Sequence, residues 1–284
     1  MLKRIITSIV SICILVPILI FADTAVLPIA VSVITCIALY EMYKCIGAMK
    51  YLGIYLPAFL IAAALPFVQR YISVCFEAVV LASVAIYLIN LFTYCLMSGD
   101  EFKFADISQI FTVTLYIILA FNAILYVHDL DGIQNGKYIY LLIFVGAWIT
   151  DIFAYFCGML FGKHKLIPKV SPKKTVEGSI GGIIFCMIAF VAFGFIIKVI
   201  DPSVEINYVI LLVSGLLISV VSQIGDLTMS VIKRQYGIKD YGKIFPGHGG
   251  VLDRFDSILS VAMLLAAICA YFSSIDIVII GGMF

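Results

Sequence analysis

The chain has 284 residues, 64% of them hydrophobic and only 12% charged, with a formal net charge of +1 and a mean hydropathy of +1.18. That composition excludes a soluble two-domain protein with a charged surface to cover, and predicts an all-α polytopic integral membrane protein. A helix needs about 20 mostly apolar residues to cross a hydrocarbon core about 30 Å thick, so the apolar runs leave room for about nine transmembrane helices.

Taken in chain order, the expected spans are residues 5–21, 25–43, 52–68, 72–97, 107–127, 138–160, 178–200, 206–229 and 255–275. The first follows Lys3-Arg4 like a signal peptide, but no small-residue cleavage site precedes Asp23, so it is read as a retained span. The eight cysteines are scattered singly, most within apolar runs and none in a Cys-x-x-Cys pair. They read as small buried apolar residues. With the N-terminus placed in the cytoplasm, 15 of the 18 cations fall on one side, leaving only Arg70, Lys137 and Lys198 on the other. The positive-inside rule then makes the two most charged loops, 161–177 and 230–256, cytoplasmic. By motif content the chain divides into 1–137, helices without a recognisable motif, and 138–284, a catalytic region carrying both loops.

Residues 226–256 hold five cations and four acids in 31 positions, a density that packing in a bilayer does not require. Asp226, Ser230, Lys233 and Arg234 stand at i, i+4, i+7 and i+8 on one helical face. Asp253, Asp256 and Ser257 share a face of the next helix. Carboxylates from two neighbouring helices make a hard-oxygen site suited to Mg²⁺, which takes one or two protein carboxylates and completes its shell with water and phosphate. The bland alternative is that the lysines and arginines snorkel at helix ends and the acids pair with them. Between the helices lies Phe245-Pro-Gly-His248-Gly249-Gly250. Its three glycines permit positive φ and would let backbone amides approach a phosphate, with His248 as a further donor or simply a loop residue beside a turn.

The other loop runs from Lys163-His164-Lys165 through Lys169 to Ser171-Pro172-Lys173-Lys174-Thr175-Val176-Glu177-Gly178. Ser171 is expected to N-cap a helix with Pro172 at its first position, whose amides and two lysines would form an anion site. The same charges serve equally as an anchor to anionic headgroups. Gly178 and Gly182 are expected to allow close helix packing. Asp151, inside the sixth span with Tyr155 one turn on, is a functional candidate as an intramembrane acid, or the partner of a loop lysine. Gly158-Met-Leu-Phe-Gly162-Lys163 is one residue short of a P-loop, and no Ser-His-Asp order or zinc spacing occurs.

Ser230-Val-Ile-Lys233-Arg234, Lys239-Asp240 and Pro246-Gly-His248-Gly249-Gly250-Val-Leu-Asp253-Arg254-Phe-Asp256 closely resemble the signature of the phosphatidate cytidylyltransferases, or CDP-diacylglycerol synthases. Ser171 to Gly178 and Asp151 to Tyr155 resemble upstream elements of that family, so the likeness covers at least residues 148–257. The resemblance implies transfer of cytidylyl from CTP to phosphatidic acid, giving CDP-diacylglycerol and pyrophosphate. It further implies a Mg²⁺-dependent integral protein of the bacterial plasma membrane, typically a homodimer, with its active site facing the cytoplasm; a second, monovalent cation is left open. No nucleic-acid polymer is expected as a partner. By the same resemblance Asp226, Asp253 and Asp256 would hold metal. Lys233, Arg234, Lys239, Asp240, His248 and Arg254 would act in catalysis. Asp151, Ser171, Lys173, Lys174, Glu177, Ser230, Gly249 and Gly250 would contact substrate.

Two other functions compete. A secondary transporter would favour broken helices at the bilayer midplane and an internal repeat; here the charge is read at one membrane face, with no convincing internal repeat. A phosphotransferase consuming CDP-diacylglycerol would carry an Asp-rich run with Asp-Gly and Ala-Arg, which is absent.

Overall fold

The computed structural model describes residues 13–131 and 134–281. Residues 5–12 of the first expected span, and Lys3 and Arg4 before it, lie outside the described residues; residues 13–20 are helical. Among the described residues eight helices are long and apolar enough to cross a membrane. They are α1 (Val26–Ile46), α2 (Leu52–Tyr71), α3 (Phe76–Met97), α4 (Phe104–His128), α5 (Leu141–Phe161), α6 (Val176–Ile200), α7 (Tyr208–Gln235) and α8 (Leu252–Ser274). A one-turn helix, Gly136–Ile139, precedes α5. The eighth expected span, 206–229, runs on to Gln235, so Ser230, Lys233 and Arg234 are helical.

The chain forms two compact units, residues 1–125 with 236–254 and residues 126–235 with 255–284. The segment 236–254 therefore belongs with the N-terminal helices, a grouping that motif content does not disclose.

In the first unit α1, α2 and α3 pack in sequence through short connections. α1 stops at Gly47, whose φ of 76° is the left-handed C-cap conformation, with its N–H donated to the Tyr43 carbonyl. Polar side chains inside the apolar core find partners, as low-dielectric surroundings require. The Tyr43 hydroxyl meets that of Tyr87 at 2.9 Å and also bonds Thr114, and Ser32 Oγ donates to the Ala63 carbonyl at 2.9 Å.

In the second unit α5, α6 and α7 are held close by small residues. A Cβ on Gly178 would strike the Ala154 carbonyl, one on Gly182 would stand 3.0 Å from the Thr150 carbonyl, and one on Gly215 would stand 2.9 Å from the Met187 Cα. Gly178 and Gly182 thus serve the close packing expected of them, since any side chain would push the backbones apart. A short strand pair, β3 (Glu205–Ile206) with β4 (Ile280–Gly281), and the buried Gln134, which donates to the Ile277 carbonyl at 2.6 Å, secure the far ends.

The segment expected to open a helix at Ser171 does not. Residues Lys165–Ile167 (β1) and Ser171–Thr175 (β2) form an antiparallel hairpin, with Lys165 opposite Thr175 and Ile167 opposite Ser171. The residue before a proline favours extended backbone, and proline fits an edge strand as well as a first helical turn. The helix begins instead at Val176, and Thr175 is the cap: its Oγ1 accepts the Gly178 N–H at 3.2 Å. Thr175→Val keeps the shape against Gly158 and Gly162 but deletes that acceptor. It is expected to cost about 1 kcal/mol and to lower the melting temperature by about 2–4 °C, read by thermal unfolding in detergent.

Candidate active site

In the second unit a cavity of about 310 Å³ opens beside the hairpin, lined by Asp151, Tyr155, Lys173, Lys174, Thr175, Gln223 and Asp226 among others. Three elements supply its charged side chains. α5 contributes Asp151 and Tyr155 one turn apart, β2 carries the two lysines, and α7 supplies Gln223 and Asp226 at i and i+3, hence on one face. The hairpin is fixed by Glu177 in the first turn of α6. Its carboxylate accepts the N–H groups of Lys163 at 3.1 Å and His164 at 3.2 Å, and meets His164 Nδ1 at 2.7 Å. Glu177 therefore shapes the hairpin that carries Lys173 and Lys174, while Lys173 itself is exposed.

Lys174 and Asp226 form an ion pair in this cavity. The Asp151 carboxylate accepts from Ser257 Oγ at 3.3 Å, and Ser257 N–H donates to Asp256 at 3.0 Å. Asp256 is in electrostatic contact with Asp226, Lys233 and Asp151, and Lys233 is only 8% exposed. The cavity and its surroundings thus bring together the carboxylates of Asp151, Asp226 and Asp256 and the ammonium groups of Lys173, Lys174 and Lys233. Among the described residues no three His, Cys, Asp or Glu side chains already form a metal cage. The donor chemistry nevertheless fits Mg²⁺, which binds through one or two carboxylates and takes its remaining oxygens from water and phosphate.

The same helices explain why these acids meet. A Cβ on Gly225 would stand 2.9 Å from the Ser260 Cβ and 3.0 Å from the Asp256 carbonyl oxygen. The absence of a side chain at 225 lets α7 and α8 approach until Asp226 and Asp256 face one another. Ser230 is half-buried and Arg234 exposed.

The first unit contains the glycine loop. Gly247 and Gly249 have φ of 83° and 87°, so two of the three glycines use the left-handed region. The loop amides are spent within the chain: Phe245 N–H on the Gly249 carbonyl, His248 N–H on that of Phe245, and Gly250 N–H on Asp253 Oδ2 at 2.9 Å. The backbone cradle expected for phosphate is thus occupied by internal hydrogen bonds at these positions. Asp253 Oδ2 also accepts the Tyr241 N–H at 2.8 Å. Lys239, Asp240 and Arg254 are exposed and His248 half-buried.

Two side chains at these sites escaped sequence reasoning. Gln223 gave no signal beyond its spacing from Asp226. Glu41, buried in α1, was detectable as the only acid of an otherwise apolar helix.

Fold and cavity together define a polytopic membrane protein with a pocket lined by both acidic and basic side chains. The chain belongs to the cytidylyltransferase family, whose sequence pattern it matches over residues 2–272. It is 40% identical over 183 residues to the phosphatidate cytidylyltransferase of Bacillus subtilis (strain 168), an alignment covering 64% of this chain and 65% of that protein. The protein of the same name from Staphylococcus haemolyticus is 39% identical, with 62% of this chain and 64% of that one covered. The chain thus spans a little under two thirds of the length of these two relatives. With the Staphylococcus aureus (strain COL) protein of that name it shares 32% identity over 92% of this chain and 96% of the relative.

Proposed function

We propose that this chain is a phosphatidate cytidylyltransferase, which joins the phosphate of phosphatidic acid to the α-phosphorus of CTP. The new phosphorus–oxygen bond forms as the α–β phosphoanhydride breaks, and pyrophosphate leaves with its bonding electron pair. The nucleophile is already an anion at neutral pH, so the reaction needs alignment and charge neutralisation rather than a general base. The observation that carries the reading is the cavity in which Lys174 pairs with Asp226 beside Asp151 and Lys173, in a chain of this family. In this reading Lys173 and Lys174 receive phosphate oxygens, and Lys233 balances Asp256. Asp226 and Asp256 would hold Mg²⁺, which when bound would supply positive charge to the triphosphate; Asp253 is proposed as a metal ligand from the signature alone. Arg234, Lys239 and Arg254 would act as outer phosphate contacts.

The proposal extends to a bacterial plasma-membrane enzyme with the site facing the cytoplasm, supported by the sidedness of the lysines and arginines. It also includes a homodimer, checked by mass measurement in detergent.

The test is pyrophosphate release by the detergent-purified protein given CTP, Mg²⁺ and phosphatidate, omitting each in turn. Dependence on all three is expected; release that persists without phosphatidate or without Mg²⁺ counts against the acceptor or the metal. Lys173→Ala is expected to raise the KM for CTP about fivefold, corresponding to about 1 kcal/mol, with little change in kcat. Unchanged constants would return the hairpin to a headgroup anchor.

A further inference from the structure

Glu41 lies in the apolar helix α1 and is 2% exposed. A carboxylate in such surroundings is unfavourable unless hydrogen-bonded, and here the main chain satisfies it. Val251 N–H donates to Oε1 at 3.0 Å and Leu252 N–H to Oε2 at 2.9 Å. These are among the amides at the start of α8 that no carbonyl within the helix can reach. Asp253, also buried, takes the amides of Tyr241 and Gly250. Two carboxylates therefore hold four backbone N–H groups of one loop, by bonds that are charge-assisted and stronger than neutral ones. The glycines of the loop follow from this: a Cβ on Gly242 or Gly250 would collide with the Glu41 carboxylate. The chemistry of the reaction makes no use of Glu41.

We propose that Glu41 is a positioning residue for the transferase reaction, pinning the 241–252 loop and the first residue of α8 in the arrangement that binds substrate. This rests on the cytidylyl-transfer reading. A loop that must be ordered before nucleotide binds lowers apparent affinity by the fraction of molecules in which it is ordered, and saturating substrate restores that order. Loss of the pin should therefore appear in KM and not in kcat.

The experiment compares wild type with Glu41→Gln, whose amide group would confront one of the two N–H donors, and with Glu41→Asp, which stays charged on a shorter arm. The full chain is purified in detergent. Hydrogen exchange of peptides covering 241–252 and steady-state kinetics with CTP are measured on the folded fraction. In Glu41→Gln, exchange at Val251 and Leu252 is expected to accelerate about tenfold. The KM for CTP should rise about tenfold with kcat within twofold. Glu41→Asp should give the smaller rise and stands in if the glutamine variant does not fold. Unchanged exchange, or a fall in kcat with KM unaltered in both variants, would overturn the proposal. If wild type shows no turnover with CTP and phosphatidate, the transferase reading and the positioning role fail together. Exchange at Val251 and Leu252 then still decides whether Glu41 holds the loop.

Discussion

Asp226→Asn is expected to lower kcat for pyrophosphate release by about 10³-fold, equivalent to about 4 kcal/mol of transition-state stabilisation. The exchange is nearly isosteric, so helix α7 and the packing around Gly225 should survive. What changes is charge at the point where α7 faces Lys174 and Asp256. Two roles for Asp226 would give the same loss: it could hold Mg²⁺, or only pair with Lys174 so that the lysine is not left buried and unpaired. A double-mutant cycle with Lys174→Ala separates them. If pairing is the whole role, removing both partners restores part of the activity that Asp226→Asn loses. If Asp226 binds the metal, the double variant is at least as inactive as the worse single one. Substantial turnover in Asp226→Asn at ordinary Mg²⁺ would sink the metal assignment.

The second large effect is expected at Asp253. Its Oδ2 accepts two main-chain N–H groups, from Tyr241 and Gly250, and an asparagine carbonyl oxygen in the same place can accept both. Asp253→Asn should therefore leave the loop folded, with a melting temperature within a few degrees of wild type, while turnover falls by about 10³-fold for want of the charge. Asp253→Ala is the contrasting case. It strands two buried donors, at about 1–3 kcal/mol each, and should lose stability as well as activity. If Asp253→Asn retains Mg²⁺-dependent turnover, the residue is confined to holding the loop. Comparing the two variants thus divides shape from charge, which the alanine variant alone cannot do.

The spans were legible because a membrane demands length and hydrophobicity locally. Val26–Ile46, Phe104–His128 and Val176–Ile200 all lie within a few residues of where hydropathy puts them. The pairing of Asp226 with one of the basic residues was legible only as a set of possibilities, since helical spacing names a face without saying what it meets. Ser171-Pro172 reads as a helix start but lies in the second strand of a hairpin. Ser-Pro followed by lysines is compatible with either, and the choice is made by cross-strand pairing with β1, whose partners Lys165 and Ile167 lie opposite Thr175 and Ser171. Glu177, expected from the resemblance to contact substrate, accepts the backbone N–H groups of Lys163 and His164 and meets His164 Nδ1, partners that local pattern does not name.

The sequence by itself determined the apolar surroundings of this protein and the approximate extent of the spans among the described residues, because these depend on composition and on the short-range order of side chains. Tertiary structure alone decided which side chains each carboxylate meets. Asp151, Asp226 and Asp256 come from three helices and meet Lys174 and Lys233 because residues such as Gly225 permit close approach. Glu41 reaches the amides of Val251 and Leu252, 210 and 211 residues along the chain. Contacts at that separation are set by how helices pack, a global free-energy balance that no local stretch of sequence encodes.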